Sequence, residues 1–299
     1  MRVLITGANG FVGPWVAAEV GVRAPSASVW AAVWGEEGRG RLAQAAPHAR
    51  QVGVDLREPD GIRSLVREVR PEVVLHLAAA SSVGASWRTP ARALEVNAVG
   101  QVHLFEALVA EALRPVVVVA SSAEVYGVPV AERPLREDDA VEPVSPYGVS
   151  KAAQELVARQ YDLAHGLPTI RLRLFNHTGP GRPDAFAESS FARQIAAAEA
   201  GLQPPRMAVG NLEAVRDLSD VRDVARAWWL AAARGEPGRV YNVCSGRTVS
   251  IRTILDWILD EAGVEVEIVV EPERVREEEL DRVVGDPARL RGDTGWRPE

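Results

Sequence analysis

Apolar residues enter this chain in short runs, and the stretches between them carry helical spacing. RVLIT (2–6), SVWAAVW (28–34), RQVGV (50–54), EVVLHLA (72–78) and PVVVVAS (115–121) are five such runs. Most are continuous rather than alternating, as expected of strands buried on both faces of a parallel sheet. Gly-rich GANG follows the first run, then FVGPWVAAEV, which reads as strand, tight turn, helix. Helical stretches near 58–69 and 90–113 separate later runs. This alternation predicts an α/β doubly wound parallel sheet.

After residue 174 the pattern changes. FNHTGPGRPDAF is a Gly/Pro loop, followed by helical stretches near 187–200, 219–234 and 250–262 and short strands near 240–243 and 265–270. We expect a dinucleotide-binding domain over 1–174, with 215–243 returning to it. A smaller α/β lobe, 175–214 and 244–299, would lie over the carboxyl edge of the sheet. EPERVREEELDR (271–282) reads as a solvated charged face.

Composition narrows the function classes. The chain has 299 residues, with 47% hydrophobic and 25% charged, as in soluble globular proteins. No apolar run reaches membrane-span length, and MRVLITGANG lacks the sections of a signal peptide. One cysteine, Cys244, allows no internal disulfide, which fits a cytoplasmic address. A net charge of −7 argues against a nucleic-acid footprint. No metal is expected: His177 has no second ligand at metal spacing.

The cation count raises a sharper point. Of 34 Lys plus Arg, Lys151 is the single lysine. It lies four residues after Tyr147 in SPYGVSKAAQE, a helical stretch with Pro146 suited to the first turn, so the two share a face. A lysine cation beside a tyrosine favours tyrosinate, and a tyrosine tuned downward can move a proton at a carbonyl or alcohol oxygen. A compact ammonium does this where an arginine fork fits poorly. Ser121 and Ser122 end the fifth run, at the edge where ligands bind in this fold; one hydroxyl is expected to hold the reacting oxygen. Asn97 lies in a helical stretch, where Asn is unfavourable; we expect it to bond backbone or a water near Lys151.

Upstream, TGANGFVG places Gly7, Gly10 and Gly13 between the first strand and helix, a spacing suited to a pyrophosphate at a helix N-terminus. The second run ends near Trp34–Gly35, followed by Glu36, Glu37 and Arg39. Neither an isolated acid for a ribose nor an isolated Arg for a 2′-phosphate stands there, so NAD and NADP both remain open. Asp55 is placed to bond an adenine amino group or to cap the next helix.

With TGxxGxxG, HLAA, ASS, YxxxK and a distal RDxxDV, the chain resembles the extended short-chain dehydrogenase/reductases that act on nucleotide sugars. RLFNHTGPGR, NLEAVRDLSDVRDV and VYNVCSG resemble its GDP-mannose branch, which holds 4,6-dehydratases and 4-keto-6-deoxyhexose reductases. The resemblance implies catalysis by Ser122, Tyr147 and Lys151 with Asn97 as a fourth member. It implies NADP or NAD, with NADPH favoured, held by Gly7, Asn9, Gly10, Phe11, Val12, Gly13, Asp55, Leu56, Leu77, Ala78, Ala79, Tyr147 and Lys151. A GDP-sugar would meet Ser122, Glu124, Asn176 and Arg216, and also Arg276 and Glu279 in REEE, where the family has RPxE. Relatives of this kind pair as homodimers through helices corresponding to 90–113 and 146–165.

The implied reaction is NAD(P)H-dependent reduction of the C4 ketone of GDP-4-keto-6-deoxy-D-mannose to GDP-D-rhamnose. Glu124 stands where dehydratases keep a carboxylate for the C5 proton, so 4,6-dehydration is a second expectation, and 4-epimerisation a third. The second run lacks the Arg-Ser-Ser stretch of the dehydratases, which favours reduction. A non-catalytic dinucleotide sensor of this fold would be expected to lack the Tyr-Lys pair present here.

Overall fold

The structure is a computed structural model and describes residues 1–128, 133–274 and 282–299. Six strands run in chain order before residue 175: β1 (Arg2–Thr6), β2 (Ser28–Val33), β3 (Arg50–Gly53), β4 (Val73–His76), β5 (Val116–Ser122) and β6 (Thr169–Leu174). Three more, β7 (Asn176–Thr178), β8 (Arg206–Val209) and β9 (Val215–Asp220), leave the sheet before β10 (Val240–Val243) returns to it. The seven-stranded sheet has the order β3-β2-β1-β4-β5-β6-β10, all parallel. The strand order reverses between β1 and β4, the switch point at which doubly wound sheets bind ligands.

Helices cover both faces. On one lie α1 (Gly13–Arg23) and α2 (Arg39–Ala45); on the other α3 (Pro59–Val69), with α4 (Val83–Arg88), α5 (Pro90–Leu94), α6 (Gly100–Ala110) and α7 (Pro146–His165). The continuous apolar runs explain the two cores. Val3 and Ile5 face α1 and the Trp228 side, while Leu4 between them faces Val66, Phe105 and Leu108. Beyond β6, α8 (Ala187–Glu199), α9 (Val221–Arg234), α10 (Ile251–Asp260) and α11 (Ala288–Thr294) follow, with β11 (Thr248–Ser250), β12 (Glu267–Val270) and β13 (Arg282–Val283). Helices α9 and α11 join the β1 face through buried Trp228 and Leu290, with Trp296 just past α11; α8 and α10 close a separate core around Phe191, Met207 and Leu255. The lobe strands pair as β11-β9-β13, with β7 beside β9, and as β8-β12.

Two boundaries differ from the sequence pattern. The helix expected over 90–113 is broken by a π turn, Glu95–Val99, that carries Asn97. The helix expected from 219 begins at Val221, because Asp220 ends β9 and its carboxylate accepts from Arg222 N as an N-cap. Among the described residues no helix is long and apolar enough to cross a membrane.

Candidate active site

The turn after β1 is built from backbone at close quarters. Gly7 has φ +68°, and a Cβ there would sit 2.7 Å from Ala78 Cα; at Gly13 it would sit 2.3 Å from Ala8 O. Side chains at these positions would push β1 off β4 and α1 off the turn. Gly10 meets only Gly7 O, at 3.2 Å, so its missing Cβ leaves room above the turn. Helix α1 starts with no side-chain cap at Val12 and with Pro14 in its first turn, so its first N–H groups point at that room. This cradle fits the pyrophosphate of a dinucleotide. The Asn9 side-chain amide donates to Trp34 O and Glu37 O, both at 2.8 Å, and accepts from Trp34 N at 3.2 Å. It fixes the loop after β2 against the turn. Phe11 stacks on His177 at 5.8 Å, and Arg41 bridges Gly10 O and Gly181 O.

Strands β1 and β4 are joined at the switch point by Thr6 Oγ1 and His76 Nδ1, 2.8 Å apart, and Ala78 N donates to the same hydroxyl. Leu77, Ala78 and Ala79 follow there, and Leu56 follows β3. His76 is fully buried; burial, then the Lys151 charge, holds its imidazole down at about 3. Asp55 neither caps α3, whose N-cap is Glu58, nor stands open. It accepts from Trp34 Nε1 at 3.2 Å and from Arg57, whose side-chain bonds hold the carboxyl at about 2.

Tyr147 and Lys151 lie on the buried face of α7, and Ser122 ends β5 beside them. The Ser122 hydroxyl bonds the Tyr147 phenol. Lys151 Nζ lies 5.7 Å from the tyrosine ring centroid and donates to Ala120 O at 3.0 Å and Gln154 Oε1 at 2.8 Å. The expectation that lysine lowers the tyrosine pKa is reversed in this state. Burial pushes the Tyr147 phenol up, and the Ser122 bond only partly offsets it. Burial also brings Lys151 down to about 7, against the pull of Glu155. Neither group meets a neutralising partner directly, so desolvation dominates both.

Asn97 bonds backbone and Ser150: it accepts from Ala80 N at 2.7 Å and donates to Ala80 O and Ser150 Oγ. The π turn lets it clip the loop after β4 to α7. The sequence reading missed the groups that hold this face. Ser86 Oγ accepts from Tyr147 N, and Ser145 caps α7 by accepting from Gly148 N. Glu155 takes a bidentate pair from Arg173 and the Ser121 hydroxyl at 2.5 Å. Glu155 continues the i, i+4 series of Tyr147 and Lys151, and that spacing was the available signal. Glu124, on the turn after β5, accepts from Ser145 Oγ at 3.4 Å, and its charge helps raise Tyr147.

The residues expected at the sugar end come from distant segments. Asn176 is exposed on β7. Arg216 lies on β9, paired in register with Val249 and Val283. Its neighbour Asp217 is buried, not in a surface ion pair. It accepts from Ser245 N and Oγ, Gly246 N and Gly285 N, at 2.7–3.3 Å. Arg276 and Glu279 lie outside the described residues.

A family profile described as GDP-mannose 4,6 dehydratase matches residues 4–299. GDP-6-deoxy-D-mannose reductase of Pseudomonas aeruginosa is 40% identical over 299 residues, 100% of this chain and 92% of that protein. GDP-mannose 4,6-dehydratase of Sinorhizobium fredii is 29% identical over 82% of this chain and 75% of its own. Among solved structures, RMD from Pseudomonas aeruginosa complexed with NADPH superposes with a TM-score of 0.83 at 36% identity, covering 100% of this chain and 93% of that one. Thermus thermophilus UDP-glucose 4-epimerase in complex with NAD gives 0.86 at 31%, covering 100% and 94%.

Proposed function

The chain belongs to the GDP-mannose 4,6-dehydratase family, and from that membership we propose that it is an NAD(P)H-dependent oxidoreductase reducing the C4 ketone of GDP-4-keto-6-deoxy-D-mannose to GDP-D-rhamnose. The observation that carries the chemistry is the buried Ser122–Tyr147 pair with Lys151 on the same helix face. The 40% identity over the full chain carries the substrate.

A bound NAD(P)H supplies the hydride. The protein's residues do the rest. Tyr147 keeps its proton in the desolvated site and gives it to the oxygen that was the ketone; an alkoxide is far more basic than a phenolate, so the transfer runs downhill. Ser122 donates to that oxygen and fixes it beside the phenol. Two of the three Lys151 donors are engaged by Ala120 O and Gln154 Oε1, which leaves one for a ribose hydroxyl. Its charge stabilises the tyrosinate left after transfer. Asn176 and Arg216, with Arg276 and Glu279, are assigned to the GDP-sugar; an Arg fork suits a diphosphate. In this reading 1–174, with 215–243 returning, serve the dinucleotide, and 175–214 with 244–299 the sugar nucleotide, in the cytoplasm.

The test supplies GDP-mannose alone, or its 4-keto-6-deoxy derivative with NADPH or NADH, and follows nicotinamide absorbance. Reduced cofactor consumed only with the keto sugar establishes reduction and ranks the cofactors. Turnover of GDP-mannose without net cofactor use would replace it with dehydration, for which Glu124 beside Tyr147 is the base. Tyr147→Phe is expected to lose about 10²–10⁴ in kcat; full turnover would overturn the assignment.

We assign the assembly to a homodimer through α5–α7. Val149, Leu156 and Leu163 stand exposed at seven-residue spacing on α7, with Leu94 and Val99 exposed nearby in sequence to α6. Charged substitutions at Leu156 and Leu163 should give a monomer by light scattering.

A further inference from the structure

Three rungs join α7 to the end of β5. Tyr147 meets the Ser122 hydroxyl, Lys151 Nζ donates to Ala120 O, and Glu155 accepts from the Ser121 hydroxyl. The α7 partners stand at i, i+4 and i+8, one stripe of the helix. The β5 partners are three consecutive residues, 120–122. The first two rungs end in groups that carry the chemistry. The third does not, and the mechanism gives it no part.

Glu155 is 5% exposed and Ser121 2%, so neither is open to a ligand. A buried carboxylate is costly unless it is paired and hydrogen-bonded. Here Arg173 of β6 donates from Nε to Oε1 and from Nη2 to Oε2. The pairing of β5 with β6 sets Arg173 beside Ser121 in register. A buried ion pair is by itself weak evidence for stability. What this pair does in addition is hold a hydroxyl one residue from Ser122. The Glu155 charge also draws the Lys151 amine upward against burial.

We propose that Glu155 and Ser121 are positioning residues for the reduction, the rung that sets β5 against α7 and so aims Ser122 at the Tyr147 phenol. This rests on the proposed ketone reduction. A displacement of about 1 Å at a reacting group can cost about 100-fold in rate, and Ser121 is the nearest residue through which α7 can restrain Ser122.

The experiment compares steady-state turnover of the 4-keto-6-deoxy sugar nucleotide, thermal melting and amide hydrogen exchange. Ser121→Ala removes the hydroxyl, while Arg173 Nε still reaches the same Glu155 oxygen, so no buried group is stranded. It should lower kcat about 10- to 100-fold, with KM within about twofold and melting near wild type. Ser121→Thr keeps the hydroxyl and should recover most of that loss. A second variant replaces the pair as a unit, Glu155→Leu with Arg173→Met, so that neither charge is left alone. It should lose a similar factor, and adding Ser121→Ala to it should cost nothing further, because residues acting as one unit are not additive. If the pair variant does not fold, Ser121→Ala and Ser121→Thr decide alone. Amide exchange over 120–124 should quicken in Ser121→Ala and stay as in wild type in Ser121→Thr.

Wild-type kcat in Ser121→Ala, or its full loss persisting in the protein without the pair, would overturn the proposal and leave reduction standing. A wild type inert toward the keto sugar would overturn the proposed function instead. Exchange over 120–124 then decides the rung: quickened by Ser121→Ala upholds it, and unchanged overturns it.

Discussion

At the dinucleotide end the site is made of backbone. Gly7 and Gly13 let chain pass against chain where a Cβ would sit 2.7 Å or less from backbone atoms, within one stretch of seven residues. At the end we propose for the sugar nucleotide, the site is made of side chains brought from far apart. Asp217 gathers the turn at 245–246 and Gly285, which lie 28, 29 and 68 residues away, and holds them beside Arg216. A site of the first kind tolerates no added atom; one of the second kind fails when an acceptor is removed. Between them, Lys151 is buried on α7 among neutral acceptors.

The largest effect should come from filling the backbone-built end. Gly7→Val places a β-branched residue at φ +68° against Ala78 and should cost about 4 kcal/mol, with dinucleotide binding lost. Gly10→Ala, which meets only Gly7 O, should melt near wild type while binding dinucleotide more weakly; thermal denaturation beside calorimetry separates the two.

Next comes the side-chain-built end. Asp217→Ala leaves the backbone N–H groups of Ser245, Gly246 and Gly285 without their acceptor, at about 3 kcal/mol or more. KM for the sugar nucleotide should rise while dinucleotide affinity stays within twofold. An equal loss of both would erase the distinction between the ends.

Lys151→Met sharpens the comparison at the junction. Turnover should fall on the order of 100-fold, yet the melting temperature should rise. Burial has moved the amine from 10.5 to about 7, so the unfolded chain binds the extra proton between those values. Wild-type stability therefore recovers as pH rises from 7 to 10.5, and below 7 the full penalty is present. The methionine variant should lack that slope. A variant less stable than wild type at pH 6 contradicts this.

The smallest effect belongs to His76. Its pKa falls from 6.5 to about 3 on folding, by burial first and by Lys151 second. The stability it confers is complete above 6.5 and is lost as pH falls toward 3, about 2 kcal/mol by pH 5. His76→Asn should flatten the urea midpoint against pH over that range.

The difference between the ends also governs what was legible in the chain. Continuous Val and Leu runs, the glycine spacing and the Tyr147–Lys151 interval are local, and each is imposed by short-range sterics or helix periodicity. They determined the doubly wound sheet, the cofactor turn and the catalytic face. The charge states were not local. Sequence logic gave a lowered Tyr147; the fold buries it away from water, and that desolvation outweighs the pull of the Ser122 hydroxyl. Nor was the use of side chains legible where strands distant in sequence converge. Asp55 is spent on Trp34 and Arg57, Asn9 on the loop after β2, Glu155 on Arg173 and Ser121, and Asp217 on a hub. A short polar residue reads the same whether it caps, bridges or binds, because its partner is chosen by which strand ends the sheet order sets side by side.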